Sequence, residues 1–251
     1  MEKEYSKLWV TEDDPQVEQK GKSVDSADEL AHLEDVASDH RSFGDACLSR
    51  GFFDEAEEDY RKALAIDEKY KFEESLALDY SRLGEVDQGR EQFDKAEEFF
   101  RKALAINEKL DRKEGIANQY GNLGTTYSMR GEHDEAEKMY RKALAVNEEL
   151  GCKEGLASQY RNLGIIYRIR GDFDEAESLQ RKSLALYEEV DDQFGIASMY
   201  LNLGRVQLEK GDKIAGCESL GKAKLLSEAS GLQDCLDFSA QLMKAYGCEG
   251  S

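Results

Sequence analysis

Residues 155–194 read GLASQYRNLGIIYRIRGDFDEAESLQRKSLALYEEVDDQF, and this stretch decides the fold. Apolar side chains in its first half recur every three or four residues, which is the spacing of one helix face; they are Leu156, Tyr160, Leu163, Ile166 and Tyr167. The segment Arg170-Gly171-Asp172 ends this helix, because glycine readily adopts the left-handed conformation that follows a helix. A second apolar stripe follows, and nothing alternates with the period of two that a strand shows. The stretch therefore predicts two amphipathic helices joined by a turn.

The same pattern recurs every forty residues, in five consecutive rows that cover 35–74, 75–114, 115–154, 155–194 and 195–234. The tripeptide Asn-Leu-Gly begins at Asn122, Asn162 and Asn202. Motifs close to DEAE follow in register, with their alanines at Ala56, Ala96, Ala136 and Ala176. Five coincident rows predict a solenoid, because each helix pair buries its apolar faces against its neighbours along the chain.

These motifs resemble the tetratricopeptide repeat family. Each row has an aromatic residue or histidine at its sixth position, at His40, Tyr80, Tyr120, Tyr160 and Tyr200. Leu or Phe, Gly, often Tyr, Gly, Ala, an aromatic residue and Ala follow at the offsets of the family. The resemblance covers residues 35–234, and the forty-residue period is similar to the longer repeats of the Pins/LGN and kinesin light chain groups. It implies an all-α fold, a right-handed αα-superhelix of five repeats.

Two flanking segments are expected outside the five rows. Residues 1–34 match no row, and we expect an acidic, partly disordered extension whose last ten residues begin a helix. Residues 235–251 begin like a sixth first helix and then stop, so we expect them to cap row five.

Two details of the rows also carry expectations. Row two has Glu91 where other rows have glycine, so we expect an irregular turn there. Gly124, Gly164 and Gly204 are expected where paired helices approach closely, with Ala136 and Ala176 facing them.

The composition excludes several classes of function. The chain has 251 residues, with 54 Asp and Glu against 34 Lys and Arg, which leaves a formal net charge of -20. Nucleic acids and anionic membranes require an excess of cations, so neither is an expected partner. Apolar runs are too short for a membrane span or a signal peptide. The five cysteines form no CxxC pair, which favours a reducing, cytoplasmic location.

Side chains suited to catalysis are few. The three histidines are scattered, the cysteines have no fixed place in the rows, and the acidic clusters lack the ligand spacing of a calcium loop. We therefore predict a protein that is not an enzyme and needs no cofactor or metal.

Charge is distributed unequally between the two helices of a row. In rows three to five the first halves (115–130, 155–170 and 195–210) carry six cations and one acid, whereas the second halves carry nine cations and nineteen acids. The family resemblance implies that first helices line the concave groove, and hence that the groove is comparatively cationic. Cations at the ends of first helices have a structural explanation, because they interact favourably with the helix dipole; these are Arg50, Arg90, Arg130, Arg170 and Lys210.

The remaining polar residues of the first helices are the candidate peptide-binding set: Arg41, Arg82, Asn122, Arg161, Asn162, Arg168, Asn202 and Arg205. In related repeats the asparagine position presents its amide to the backbone or carboxylate of a bound peptide. Two structural alternatives stay open. The asparagines would only maintain the stack of repeats, and the arginines would be solvated or paired with surface acids. The lysines of the carboxylate clamp of heat-shock co-chaperones are absent.

The sequence therefore predicts a protein-interaction scaffold that binds an acidic or carboxylate-bearing peptide in its groove. The alternative is a regulatory or sensor module that is closed by its own N-terminal tail or by self-association. The tail places Leu8-Trp9-Val10 beside the acidic run Thr11-Glu12-Asp13-Asp14, which are features of a ligand for such a groove.

Overall fold

The computed structural model describes residues 27–248, which form eleven α-helices and no strand. The helices are α1 (Ala27–Leu48), α2 (Phe53–Tyr70), α3 (Glu73–Gly89), α4 (Phe93–Lys109), α5 (Lys113–Arg130), α6 (His133–Leu150), α7 (Lys153–Arg170), α8 (Phe173–Glu189), α9 (Gln193–Lys210), α10 (Lys213–Ser230) and α11 (Gln233–Tyr246). Each helix packs against the next one along the chain. The fold is the all-α right-handed superhelix that the sequence predicts.

The helices form five consecutive pairs, from α1 with α2 to α9 with α10, and α11 packs on the last pair. Helix α1 begins at Ala27, so residues 27–34 are helical within the predicted extension. The tail motif Leu8-Trp9-Val10 lies outside the described residues. No helix among residues 27–248 is long and apolar enough to cross a membrane.

The turn inside row two is regular, so the prediction of an irregular turn is wrong. Glu91 adopts a φ of 59°, in the left-handed region that Gly131 occupies with a φ of 86°. Both turns close with the same hydrogen bond, from Gln92 N to Asp87 O and from Glu132 N to Tyr127 O, each 2.8 Å long. The packing of the flanking helices holds a glutamate in a conformation that costs a side-chain-bearing residue about 1–2 kcal/mol.

Paired helices approach closely at the glycines of the Asn-Leu-Gly motifs, as the sequence predicts. A Cβ added to Gly124 would lie 2.6 Å from Cδ1 of the Tyr140 ring. The atoms nearest to this Cβ therefore belong to the large side chain of the second helix. In row five the position equivalent to Ala136 is also close, since O of Gly216 lies 3.1 Å from a Cβ added to Gly204. The equivalent pairs are Gly44 with Tyr60, Gly84 with Phe100, Gly164 with Gln180 and Gly204 with Leu220.

Helix α11 is held to the last repeat by a disulfide. Cys217 in α10 and Cys248, just after α11, are bonded with their Cα atoms 5.4 Å apart. Disulfides are uncommon in reducing compartments. The pair therefore does not support the cytoplasmic location, which stays a prediction.

Candidate functional site

The first helices of the repeats lie on the inner side of the stack. Contacts skip the intervening helix between α3 and α5, α5 and α7, α7 and α9, and α9 and α11, whereas second helices have no comparable contacts within residues 27–248. In a curved stack, elements on the inner side lie closer together. The odd-numbered helices therefore line the concave groove, as the family resemblance implies.

Three asparagines stand at one position on successive groove helices: Asn122 on α5, Asn162 on α7 and Asn202 on α9. All three are half-buried. The Asn122 amide nitrogen lies 3.5 Å from Oγ of Ser81 in the preceding repeat, at the limit for a hydrogen bond. The Asn202 side chain has no hydrogen-bond partner in the described chain. The amides are therefore only weakly engaged by the protein itself.

Arg41 is held by two buried carboxylates. Its Nη1 atom lies 2.7 Å from Asp67 Oδ2 and 3.2 Å from Asp79 Oδ1, and both acid side chains are fully buried. Burial raises the pKa of Asp79 to about 8, together with the hydrogen bond that its protonated form donates to Asp67 and the negative charge of Asp67. Arg41 thus joins α1, α2 and α3, and its guanidinium is committed within the fold.

Arg82 is also paired within the chain. Its Nε atom lies 3.0 Å from Asp45 Oδ1, and its Nη1 atom lies 2.8 Å from Glu85 Oε2. It occupies the asparagine position in row two, but two acids neutralise it. A ligand carboxylate would have to compete with both.

Arg168 and Arg205 converge on one acid, Glu209. Nη1 of Arg168 donates to both carboxylate oxygens of Glu209 at 3.0 Å, across neighbouring repeats. Nε of Arg205 donates to Oε1 of the same carboxylate at 3.0 Å. Two cations share one anion here, which leaves a local charge of one positive unit.

Arg161 is the predicted arginine that has no acid at ion-pair distance within residues 27–248. Its Nε atom lies 3.5 Å from Oδ1 of Asn162, next to it on α7. The side chain is half-buried, so it is a groove cation that the fold leaves without a countercharge.

The cations at the ends of the first helices join successive repeats. From Arg90 onward, each one pairs with two acids near the start of the preceding second helix, at sequence separations of 36 and 33 residues. These pairs, the charge ladder, are Arg90 with Asp54 and Glu57, Arg130 with Asp94 and Glu97, Arg170 with Asp134 and Glu137, and Lys210 with Asp174 and Glu177.

The ion pairs of the charge ladder shift the pKa values of its glutamates. Burial raises the pKa of Glu137, but hydrogen bonds from Arg170 and Tyr167 outweigh it and hold the pKa at about 2. The fixed separations were visible in the sequence, where we assigned these cations to the helix dipole alone. The ladder therefore accounts for much of the charge asymmetry, and the groove is less cationic than the sequence suggests.

Two apolar groove residues were missed by the sequence analysis. Met129 is 51% exposed and Ile169 is 46% exposed, and they share the row position of Glu209. The sequence did carry a signal for these two residues, because each is an apolar side chain on the polar face of a first helix. Together with Arg161 they give the groove an apolar part beside a cationic one.

Among residues 27–248 no three His, Cys, Asp or Glu side chains are grouped so that they could hold a metal ion.

Comparison with known proteins supports this architecture. A family model described as "Tetratricopeptide repeat" matches residues 34–109, 75–149 and 156–214. No curated protein matches the chain.

Several solved structures are similar. BtubC (BKLC) from P. vanneervenii superposes with a TM-score of 0.67 at 24% identity, over 82% of this chain and 93% of its own. The Rap conjugation gene regulator of the plasmid pLS20, solved with the Phr* peptide, gives a TM-score of 0.75 at 18% identity, over 91% and 63%. The quorum sensor NprR from B. thuringiensis gives 0.70 at 17% identity, over 87% and 64%. At these identities the likeness is one of fold.

Proposed function

Because the chain belongs to the tetratricopeptide repeat family, we propose that it is a non-enzymatic scaffold that binds an acidic or carboxylate-bearing peptide in its concave groove. The observation that carries the proposal is the row of weakly engaged amides at Asn122, Asn162 and Asn202, which lies beside the unpaired Arg161. An amide has both a donor and an acceptor, as a peptide backbone does.

The spacing of the groove helices suits an extended peptide. Packed helices lie about 8–10 Å apart, and an extended chain advances about 3.3 Å per residue. One repeat therefore corresponds to about three ligand residues. Asn122, Asn162 and Asn202 would contact the backbone at every third residue.

The side chains of the groove suggest the composition of the ligand. Met129 and Ile169 offer apolar contacts on α5 and α7. Arg161, Arg168 and Arg205 offer charge-assisted hydrogen bonds to a carboxylate. We therefore propose a peptide that combines apolar side chains with one Asp, Glu or terminal carboxylate. The partner is a protein in the cytoplasm, and neither nucleic acid nor membrane is a proposed ligand.

A regulatory module is the second candidate function. The similar Rap protein is named as a gene regulator solved with a peptide, and NprR is named as a quorum sensor. In this alternative the groove is closed by the N-terminal tail of the same chain or by a second copy, and the partner displaces it.

Selection from a random nonapeptide library tests the proposal. Wild-type protein should enrich sequences with one acidic residue and with apolar residues three positions apart. The double variant Arg161→Gln, Asn162→Ala should lose this enrichment, because it removes the free cation and one backbone contact.

Lys224→Gln on α10 is the matched control, since it removes an exposed cation from a second helix. It should enrich the same sequences as wild type. If wild type enriches nothing, or if the groove variant enriches the wild-type sequences, the groove is not a peptide site.

A further inference from the structure

Glu209 on α9 lies between two arginines of the groove helices, Arg168 on α7 and Arg205 on α9. One carboxylate accepts hydrogen bonds from Arg168 and Arg205, all at 3.0 Å. The two arginines belong to neighbouring repeats, 37 positions apart in sequence. Arg168 is largely buried, Glu209 is about one-fifth exposed and Arg205 about two-fifths exposed, so the cluster is open to solvent on the side of Arg205.

Glu209 is charged at a row position where the other repeats have uncharged residues. The row equivalents of Glu209 are Ser49, Gly89, Met129 and Ile169, none of which is charged. Arg168 and Arg205 also stand where earlier rows have other residues, so all three charges arise together at this one junction.

Both arginines keep guanidinium nitrogens that are free to donate further hydrogen bonds to a ligand. The Nη2 atom of Arg168 and both terminal nitrogens of Arg205 have no hydrogen-bond partner in residues 27–248. A guanidinium prefers to bind a carboxylate with two nitrogens, whereas each of these uses one toward Glu209. The pairing therefore holds the arginines in place without saturating them.

Resting on the proposed peptide-binding function, we propose that Glu209 is an internal competitor for the ligand carboxylate. In the free protein it neutralises Arg168 and Arg205. An acidic side chain of the ligand displaces it and takes the two arginines in its place. Glu209 therefore lowers the affinity of the groove for an acidic ligand, because the ligand carboxylate must replace it at both arginines.

This arrangement predicts that removing the acid strengthens binding. Glu209→Gln keeps the size of the side chain and removes its charge, so a ligand carboxylate no longer has a competitor. Glu189→Gln is the matched control, because Glu189 forms an exposed ion pair with Lys153 at the start of α7 and loses the same charge.

The experiment measures fluorescence anisotropy with two labelled probes. One is a nonapeptide with a single acidic residue, recovered by the wild-type library selection, and the other has the amide in place of that acid. Glu209→Gln should raise affinity for the acidic probe by about tenfold and change affinity for the amide probe by less than about twofold. Glu189→Gln should change neither.

The outcomes separate the two proposals. If wild type binds both probes equally well, the groove has no carboxylate site, and the proposed competitor role of Glu209 is overturned as well. If wild type prefers the acidic probe but Glu209→Gln weakens its binding, leaves it unchanged, or strengthens both probes equally, the groove site stands and the competitor role of Glu209 is overturned. Thermal melting of Glu209→Gln checks that its fold is unchanged.

Discussion

At the scale of single residues, partners decide what each charge does. Arg41 and Arg161 both belong to first helices, yet Arg41 is fixed by Asp67 and Asp79 while Arg161 has no acid partner in residues 27–248. The later repeats have uncharged amides where Asp67 and Asp79 stand: Asn107 with Gln119, and Asn147 with Gln159. The first junction is thus the one where the core holds two carboxylates that compete for one cation.

Replacing one of these carboxylates should remove a pH dependence. Asp79 has a pKa of about 8 in the fold, raised by burial and by Asp67, against an ordinary value of 3.8. Its protonated form is the one the fold favours, so this stabilisation is complete below about pH 4 and is lost as pH rises toward 8. Asp79→Asn should therefore be more stable than wild type at pH 8, by on the order of 1–3 kcal/mol.

Urea unfolding at pH 5, 6.5 and 8 measures this effect. The control is Asp39→Asn, because Asp39 is the row equivalent of Asp79 and is exposed. It should keep the wild-type dependence on pH. If Asp79→Asn also keeps that dependence, Asp79 does not carry the proton.

At the scale of helices, two kinds of contact hold the stack together. Within each helix pair a glycine packs against a large side chain, and between successive pairs the ion pairs of the charge ladder join the helices. Gly124 lies against the Tyr140 ring inside a pair. Arg130 at the end of the same helix reaches back to Asp94 and Glu97 of the preceding repeat, with distances of 3.0 Å. One helix therefore makes its contact within the pair through a small residue and its contact between pairs through a long one.

Two glycine substitutions should act in opposite directions. Gly124→Ala places a Cβ 2.6 Å from the Tyr140 ring and should lower the free energy of unfolding by about 1–3 kcal/mol. Gly221→Ala in α10 meets no atom within 4 Å and should raise it by about 0.5–1 kcal/mol, because alanine favours the helix. Chemical denaturation checks both, and equal effects would contradict the close-packing account.

At the scale of the whole molecule, the contact that joins α11 to the last repeat differs from the contacts that join the earlier repeats to one another. Cys217 stands where earlier second helices have the ladder glutamate, and Ile214 where they have the ladder aspartate. The ladder thus ends at Lys210, and the disulfide between Cys217 and Cys248 takes its place. Each repeat of a solenoid is stabilised by contacts with its nearest neighbours, so loss of the disulfide should destabilise only the C-terminal helices.

Breaking the disulfide should therefore free α11 and little else. In Cys217→Ser, hydrogen exchange should become faster in residues 233–246, because the helix keeps only its packing on α9 and α10. Residues 113–170 should exchange at the wild-type rate. Cys152→Ser removes a free cysteine and should leave both regions unchanged. Unaltered exchange in α11 would show that packing alone holds it.

The sequence by itself determined the repeat, the helix pairs and the close approach at Gly124, because periodicity and turn chemistry are local properties of the chain. The assignment of the first helices to the groove came from the family resemblance. The sequence also identified Asn122, Asn162 and Asn202 as equivalent positions, whose role in binding stays a prediction. Only the tertiary structure decided which cations are free. Arg168 meets Glu209 41 positions away, and Arg41 meets Asp67 26 positions away. Ion pairs and disulfides depend on distances in space, and these distances exist only after the repeats have stacked.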